Sequence, residues 1–460
     1  MRSKIILLRP DFILGFSFLI IGLTAPFPLI PIKLQQICGL LSFAIIFWLF
    51  QPIKIEKTSI LLIVAFINTE LLKVKDIFLT FSSDAPWLIV AGMAISLSMI
   101  ELNIANLIAL NIGKFLSKSL SGLVIQMHLL GLFTALIVPS GVVRVIILIP
   151  LGKAIAVQYC KNQQFELQNI ILLSLTLSTV LGGFGILTGA VPNMIAAGLY
   201  TVETNISVSW SNWLLWMFPS AGLVRIVISA IIISIIYSGK FKLLTKNNNF
   251  ENKRFDRNQI LFFGIIAGFV VGLITDSVHN FSPLQICIFT IIIIFSRPIG
   301  PLPIKAIRKV QFSFLFYVVA LFSLGHAVET SGLIYYYKTF IIDFFDISRA
   351  SLPLRYVFTA SSPILLSIFL DVAAVAAILV PIYVESALSF GLDAFPAMMS
   401  ICLGTSIVFL PYQAAPLMLA YSSGDLSKRI FLKVLFVVAI LSIGVVYPLT
   451  VYLWSYLGLF

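Results

Sequence analysis

Pro139-Ser140-Gly141-Val142-Val143-Arg144, running on through an apolar stretch to Ile149 and then Pro150-Leu151, decides how this chain reads. It puts a small-residue break, a cation and a proline close together inside otherwise apolar sequence. A relative recurs downstream as Asp371-Val372-Ala373-Ala374-Val375, followed by Pro381-Ile382. The proline stands ten residues after Ser140 in one case and ten after Asp371 in the other. Each stretch precedes a second broken apolar segment. The first is Gly189-Ala190-Val191-Pro192-Asn193 and the second is Gln413-Ala414-Ala415-Pro416-Leu417. The chain therefore reads as two halves, each with a hairpin tip and then an interrupted helix.

The surrounding composition sets the medium. Of 460 residues, 60% are hydrophobic and 10% charged, where a water-soluble domain carries about 25% charged residues. Many apolar runs reach the roughly 20 residues needed to cross a bilayer core. Open backbone groups are not tolerated in lipid, so the spans are helices. The runs are too long and too apolar for an alternating barrel. The fold class is thus an all-α polytopic membrane protein. A net charge of +12 belongs to cytoplasmic loops, where Lys and Arg accumulate, and does not call for nucleic acid. Cys38, Cys160, Cys287 and Cys402 have no paired spacing, so no disulfide or metal site is expected beyond sodium. The apolar run from Phe12 is too long for a signal h-region and lacks a clear cleavage site; it reads as a retained helix.

The expected spans, in order, are 12–31, 36–51, 58–72 and 86–101, then a hairpin at 120–159. A helix at 168–199, broken near 188–193, and a span at 213–237 complete the first half. Spans at 260–276, 283–296 and 311–328 follow, then a polar and aromatic stretch at 329–355. The second hairpin is 353–388, the second broken helix is 395–421 and the last span is 434–457. If 120–159 is a hairpin that enters and leaves on one face, Lys114, Lys118, Lys153 and Lys161 all stay inside. With the N-terminus inside, only Lys33, Lys73, Lys75, Lys338, Arg349 and Arg355 fall outside, while Arg144 and Arg225 lie within segments. That bias favours about eleven spans plus two re-entrant hairpins that open on opposite faces, the mark of an inverted repeat. The chain divides into an N-terminal extra helix at 1–35, a first repeat at 36–238, a basic cytoplasmic linker at 239–258 and a second repeat at 259–460.

Hairpin tips and helix breaks leave backbone groups open at membrane depth, where only protein or a water-filled cavity satisfies them. Half-helix N-termini attract anions, and unwound carbonyls bind cations. An intramembrane Arg144 calls for a cavity and a partner. It reads either as a clamp on an anionic substrate or as the ion-pair partner of Asp371. Asp371 is the one carboxylate at an expected tip; it would hold a cation, carry a proton or pair with Arg144. Arg225 has no companion motif and reads as structural. Glu101 and Glu329 end their spans and read as interfacial, His326 as a packed histidine, and Trp210, Trp213 and Trp216 as an interfacial belt.

With these residues in place, the sequence resembles the divalent-anion:sodium symporter family, which includes the di- and tricarboxylate and sulfate transporters. That family carries Ser-Asn-Thr at each of two tips, with a proline ten residues after the serine, and a Thr-Pro-Pro-Asn-like turn in the broken helix that follows. Here the first tip reads Ser140-Gly141-Val142, with Arg144 in a place that looks like the plastid dicarboxylate-translocator variant. The first turn reads Gly182-Gly183 and then 189–193; the second tip reads Asp371-Val372-Ala373; the second turn spans 409–416. Of six tip residues only Ser140 survives, and of the turns Pro192, Asn193 and Pro416.

The resemblance implies a substrate site at Ser140, Gly141, Val142, Arg144, Asn193, Asp371, Val372, Ala373 and Pro416. It implies a coupling-ion site at Ser140, Thr188, Gly189, Asp371 and Gln413. It also implies a homodimer in which hairpins and broken helices form a unit that slides against a fixed scaffold.

The leading reading is a secondary transporter, not an enzyme. It moves a small anion (a dicarboxylate, tricarboxylate or sulfate) coupled to Na+ or H+, with no cofactor, by elevator-type alternating access. The expected location is a bacterial inner membrane, multi-pass, with the N-terminus cytoplasmic. The alternative is a Na+/H+ or other cation exchanger that uses Asp371. An intramembrane aspartyl protease would need a second facing carboxylate, and none is present at the other tip. No Walker motif supports ATP-driven pumping.

Overall fold

The computed structural model describes residues 10–24, 27, 30–79, 81, 84–104, 107, 108, 111, 115–117, 119–159, 164–238, 254–337, 339, 349–368 and 370–460. Arg2, Lys4, Arg9, Lys114, Lys118, Cys160, Lys161, Lys338 and the 239–253 part of the expected linker lie outside them.

The chain is an all-α polytopic membrane protein. Its first half contains α1 (Pro10–Thr24), α2 (Ile32–Phe50), α3 (Ile55–Asn68), α4 (Asp84–Glu101), α5 (Leu120–Ile137), α6 (Gly141–Tyr159), α7 (Gln164–Phe184), α8 (Val191–Thr204) and α9 (Trp210–Tyr237). The second contains α10 (Arg257–Ile274), α11 (Pro283–Ile294), α12 (Phe314–Thr330), α13 (Leu352–Ser367), α14 (Val372–Ser386), α15 (Ala394–Thr405), α16 (Ala415–Ser422) and α17 (Lys428–Tyr456). Among the described residues, six helices (α5, α7, α9, α10, α14 with the 3-10 turn that carries it to Phe390, and α17) are long and apolar enough to cross a membrane. The expected third span ends early: α3 stops at Asn68 and a separate short helix covers Val74–Leu79.

Burial orders the helices. The apolar stretch of α7 is 94% buried inside the protein and that of α10 only 22%. A helix that is apolar all round and enclosed is a core element, whereas one apolar and open faces lipid. Around α7 the packing comes in matched pairs. α5 and α6 pack on α7 as α13 and α14 pack on α15. α3 lies on α12 as α11 lies on α4. The second helix of each hairpin also crosses to the other half, α6 against α16 and α14 against α8.

Both prolines of the opening motif, Pro150 and Pro381, lie inside the helices they were read in, α6 and α14. A further correspondence escaped the sequence reading. Ser220-Ala221-Gly222-Leu223-Val224-Arg225 in α9 matches Ser442-Ile443-Gly444-Val445-Val446-Tyr447 in α17. Each stretch carries a π-helical turn, Phe218–Val224 and Ser442–Val446. The turns touch each other, and Thr450 Oγ1 donates to Ser220 Oγ at 2.8 Å.

Candidate functional site

Two helix-turn-helix tips and two helix breaks meet at the centre. In the first break α7 ends at Phe184, a 3-10 turn covers Leu187–Gly189, and α8 starts at Val191 with Pro192 in its first turn. Proline fits there because its missing N–H would have had no helical partner. Buried Asn193 crosses the break. Its Nδ2 donates to the Phe184 and Ile186 carbonyls at 2.9 and 3.0 Å, taking up acceptors that the end of α7 leaves open.

The second break is built on the same logic with a different residue. α15 ends at Thr405, a 3-10 turn covers Pro411–Gln413, and α16 begins at Ala415. The Gln413 Oε1 accepts the Phe409 and Leu410 N–H groups, both at 2.7 Å. Its Nε2 donates to the Ser367 carbonyl at 2.7 Å and to Ser367 Oγ at 3.2 Å, which ties the break to the end of α13. Ser367 was not among the sequence candidates, because it lies a helix away from the tip motif.

Arg144 is buried in the first turn of α6, and its partners are carbonyls. Nη1 donates to Val138 at 3.0 Å and to Ala135 at 3.4 Å; Nη2 donates to Gly189 at 2.7 Å. Ala135 and Val138 close the C-terminal end of α5, where a cation is favoured by the helix dipole. Gly183 makes room for the guanidinium: a methyl there would lie 2.5 Å from Nη2 and 2.8 Å from the Gly189 oxygen. Among the described residues no carboxylate ion-pairs with Arg144, so the structure does not form the Arg144–Asp371 pair.

Asp371 caps α14, its Oδ1 accepting the Ala373 N–H at 2.8 Å. Tyr317 of α12 reaches the same oxygen with its hydroxyl at 3.5 Å. Ser140 holds the first tip, accepting the Val143 N–H at 3.4 Å. Gly141 packs on Pro416, whose Cγ would lie 2.8 Å from a methyl at Gly141. Ser140, Val142, Asp371 and Pro416 stay half-buried and Ala415 is exposed, while Gly141, Val372, Ala373 and Asn193 are buried. The structure thus brings the first tip to Pro416 and places Val372 of the second in one apolar cluster with Val408, Ala414 and Leu417 of the second break. Tyr317 was missed because it sits inside an ordinary apolar span.

Other expectations resolve around this centre. Trp210 and Trp213 are buried rather than interfacial, and Trp210 Nε1 donates to Thr188 Oγ1 at 3.1 Å. An aromatic cluster at a span edge reads as a belt, but here it packs the start of α9 onto the first break. Arg225 is buried and donates to the Ser406 hydroxyl and carbonyl at the end of α15. His326 is partly exposed, with Nδ1 3.0 Å from Glu329. Glu101 receives Lys309 at 2.8 Å. Cys38, Cys287 and Cys402 are free thiols.

A family description, "Sodium:sulfate symporter transmembrane region", matches residues 9–460. An uncharacterized transporter of Haemophilus influenzae is 24% identical over 438 residues, covering 90% of this chain and 91% of that protein. The sodium-dependent dicarboxylate transporter SdcS of Staphylococcus aureus is 26% identical over 185 residues, 38% of this chain and 35% of that one. The YdaH transporter of Alcanivorax borkumensis superposes with a TM-score of 0.56 at 12% identity, over 83% of this chain and 88% of that one. That last likeness concerns the fold alone.

Proposed function

The chain belongs to the sodium:sulfate symporter family and is a secondary transporter of small anions; from that premise we propose how its centre works. The two halves form an inverted repeat of about eleven spans and two re-entrant hairpins, with the substrate near the midplane between the tips. The matched packing of α5–α7 with α13–α15, and of α3–α12 with α11–α4, supports this reading. α5–α9 and α13–α17 form a carrier that moves against a scaffold of α2–α4 and α10–α12, in a homodimer. The protein sits in a bacterial plasma membrane with its N-terminus in the cytoplasm.

The observation that carries the mechanism is the setting of Arg144. Unwound carbonyls at a broken helix are what coordinate a coupling cation in such folds. Here the Gly189 carbonyl of the break and the Ala135 and Val138 carbonyls of the tip converge on a guanidinium. Arg144 is therefore a tethered cation in the place of a mobile one. It is always charged and keeps the first tip joined to the first break in every step of the cycle. Sodium coupling is left to the second half, where residues 407–410 lie outside any helix. The anion meets the half-exposed Ser140 and the N-terminal ends of α6, α8 and α16.

A cation exchanger centred on Asp371 would need oxygen acceptors around that carboxylate. Among the described residues the groups that reach it are donors: the Ala373 N–H and the Tyr317 hydroxyl. The anion reading is tested on the purified protein by thermal stability with succinate, malate, citrate, oxoglutarate, sulfate and phosphate, each with sodium or choline. A ligand that binds the folded state alone raises apparent stability by mass action. A response to an anion supports the reading, and a response to sodium and pH alone overturns it in favour of cation exchange.

A further inference from the structure

We infer that Asp276, in the link between α10 and α11, is a positioning residue for the first helix break and acts on it through Trp210. This role rests on the transporter reading above and concerns the same site. Asp276 is only 5% exposed, and among the described residues no Lys, Arg or His pairs with it. A carboxylate taken out of water needs a compensating partner. Here the partner is the start of α9. Asp276 Oδ2 accepts the Trp210 N–H at 2.6 Å, the Ser211 N–H at 3.4 Å and the Ser209 hydroxyl at 3.1 Å. Ser209 Oγ in turn accepts the Asn212 N–H at 3.3 Å.

The first turn of a helix leaves its N–H groups without internal acceptors and carries partial positive charge. Ser209 alone would cap α9 at Asn212 and leave the Trp210 and Ser211 N–H groups open. Asp276 takes both. Ser277 Oγ donates to its other oxygen at 3.3 Å and lies 2.7 Å from Ser211 Oγ, so several bonds make the junction. Asp276 stands on the scaffold side of the border proposed above, and α9 stands on the carrier side.

A cap by itself would fix only α9. The reach to the site comes from Trp210. Its backbone N–H is held by Asp276, and its indole N–H donates to Thr188 Oγ1 at 3.1 Å, with Trp210 and Thr188 both buried. Holding the first residue of α9 holds the backbone from which the indole is aimed. Thr188 lies in the 3-10 turn of the first break, next to Gly189, whose carbonyl accepts Arg144 Nη2 at 2.7 Å. A line of hydrogen bonds and one peptide link therefore runs from a scaffold carboxylate to the buried guanidinium. Asp276 thus sets where the Gly189 carbonyl stands. The turn of the second break is closed differently, by Gln413 on Ser367, and serves as an internal reference.

The test compares the full-length wild type with Asp276→Ala, Asp276→Asn and Trp210→Phe. Asparagine keeps a capping acceptor for α9 without the charge, and phenylalanine removes the indole N–H while Asp276 stays. Amide hydrogen exchange is read by mass spectrometry over residues 184–193, with 409–416 as the reference. Uptake of sulfate and of succinate into proteoliposomes is read as half-saturation and maximal rate. Asp276→Ala and Trp210→Phe are each expected to speed exchange at 184–193 by about tenfold, the effect of losing one hydrogen bond of ordinary strength, with 409–416 unchanged. Both are expected to raise the half-saturation concentration for the transported anion by a similar factor and to leave the maximal rate little changed, the sign of weaker binding rather than of less folded protein. Asp276→Asn is expected to return both readouts to near the wild type. Exchange at 184–193 that is equal in all four proteins, or a lost maximal rate with unchanged half-saturation, overturns the inference and makes Asp276 a cap for α9 alone. Uptake of neither anion by the wild type counts against the transporter reading, and the exchange at 184–193 then decides the positioning role by itself.

Discussion

The Arg144 guanidinium donates from Nη2 to the Gly189 carbonyl at 2.7 Å, joining the tip of the first hairpin to the break between α7 and α8. Two elements far apart in sequence are thereby held by one buried cation. The second half makes the equivalent join without a charge: Gln413 Nε2 on the Ser367 carbonyl, also at 2.7 Å.

The first join depends on a missing side chain. A methyl at Gly183 would stand 2.5 Å from Arg144 Nη2. Gly183→Ala is expected to push the guanidinium off Gly189 and to destabilise the protein by about 1–3 kcal/mol, as overpacking does. Gly264→Ala is the control, because nothing lies within 4 Å of a methyl there. It is expected to be neutral or stabilising by up to about 1 kcal/mol through helix propensity. Melting temperatures of the two variants in detergent check this.

Gln413 is expected to be more sensitive to removal than to a change of charge. Gln413→Ala leaves the Phe409 and Leu410 N–H groups and the Ser367 carbonyl without partners, at a cost of about 1–3 kcal/mol for each group left buried. Gln413→Glu keeps the acceptor for Phe409 and Leu410 but sets a carboxylate against the Ser367 carbonyl. The glutamate variant is expected to be the more stable of the two while losing the tie to α13. Thermal unfolding ranks them, and equal stability would remove the role given to the Oε1 contacts.

The ion pair between Glu101 and Lys309 connects the end of α4 to the segment before α12 at 2.8 Å, with the lysine side chain 61% exposed. Exposed pairs of this kind contribute about 0–1 kcal/mol. Lys309→Ala is expected to fold and transport as the wild type does, within that range in thermal stability. A larger loss would show that the pair holds the scaffold together.

Much of this arrangement is legible in the residues alone. The spacing of Pro150 from Ser140 and of Pro381 from Asp371 marked both hairpin tips, because helix breaks inside apolar sequence need small residues and prolines. Pro192 and Pro416 marked the starts of α8 and α16 for the same reason. The partners of Arg144 were not legible. A carbonyl carries no letter of its own, so a buried arginine suggests a carboxylate even where backbone oxygens surround it. Tyr317 and Ser367 were hidden because each lies on an element whose pattern says only that it is apolar and helical. Trp210 and Trp213 looked interfacial from their place at a span edge, and the tertiary contact with Thr188 decided otherwise. The Ser-x-Gly-x-Val repeat of α9 and α17 was visible in the sequence and would have exposed the paired π turns.

The central claim is that Arg144 stands in for a mobile cation at the first tip. The measurement that tests it most directly is the sodium dependence of anion uptake in proteoliposomes by the wild type and by Arg144→Ala. Removing the guanidinium leaves the Ala135, Val138 and Gly189 carbonyls facing an unfilled charge position, which sodium then takes. The predicted result is that Arg144→Ala transports only at raised sodium, with a steeper sodium dependence than the wild type. A folded Arg144→Ala that is inactive at every sodium concentration, or one with the sodium dependence of the wild type, would contradict the account; the former would return Arg144 to direct contact with the anion.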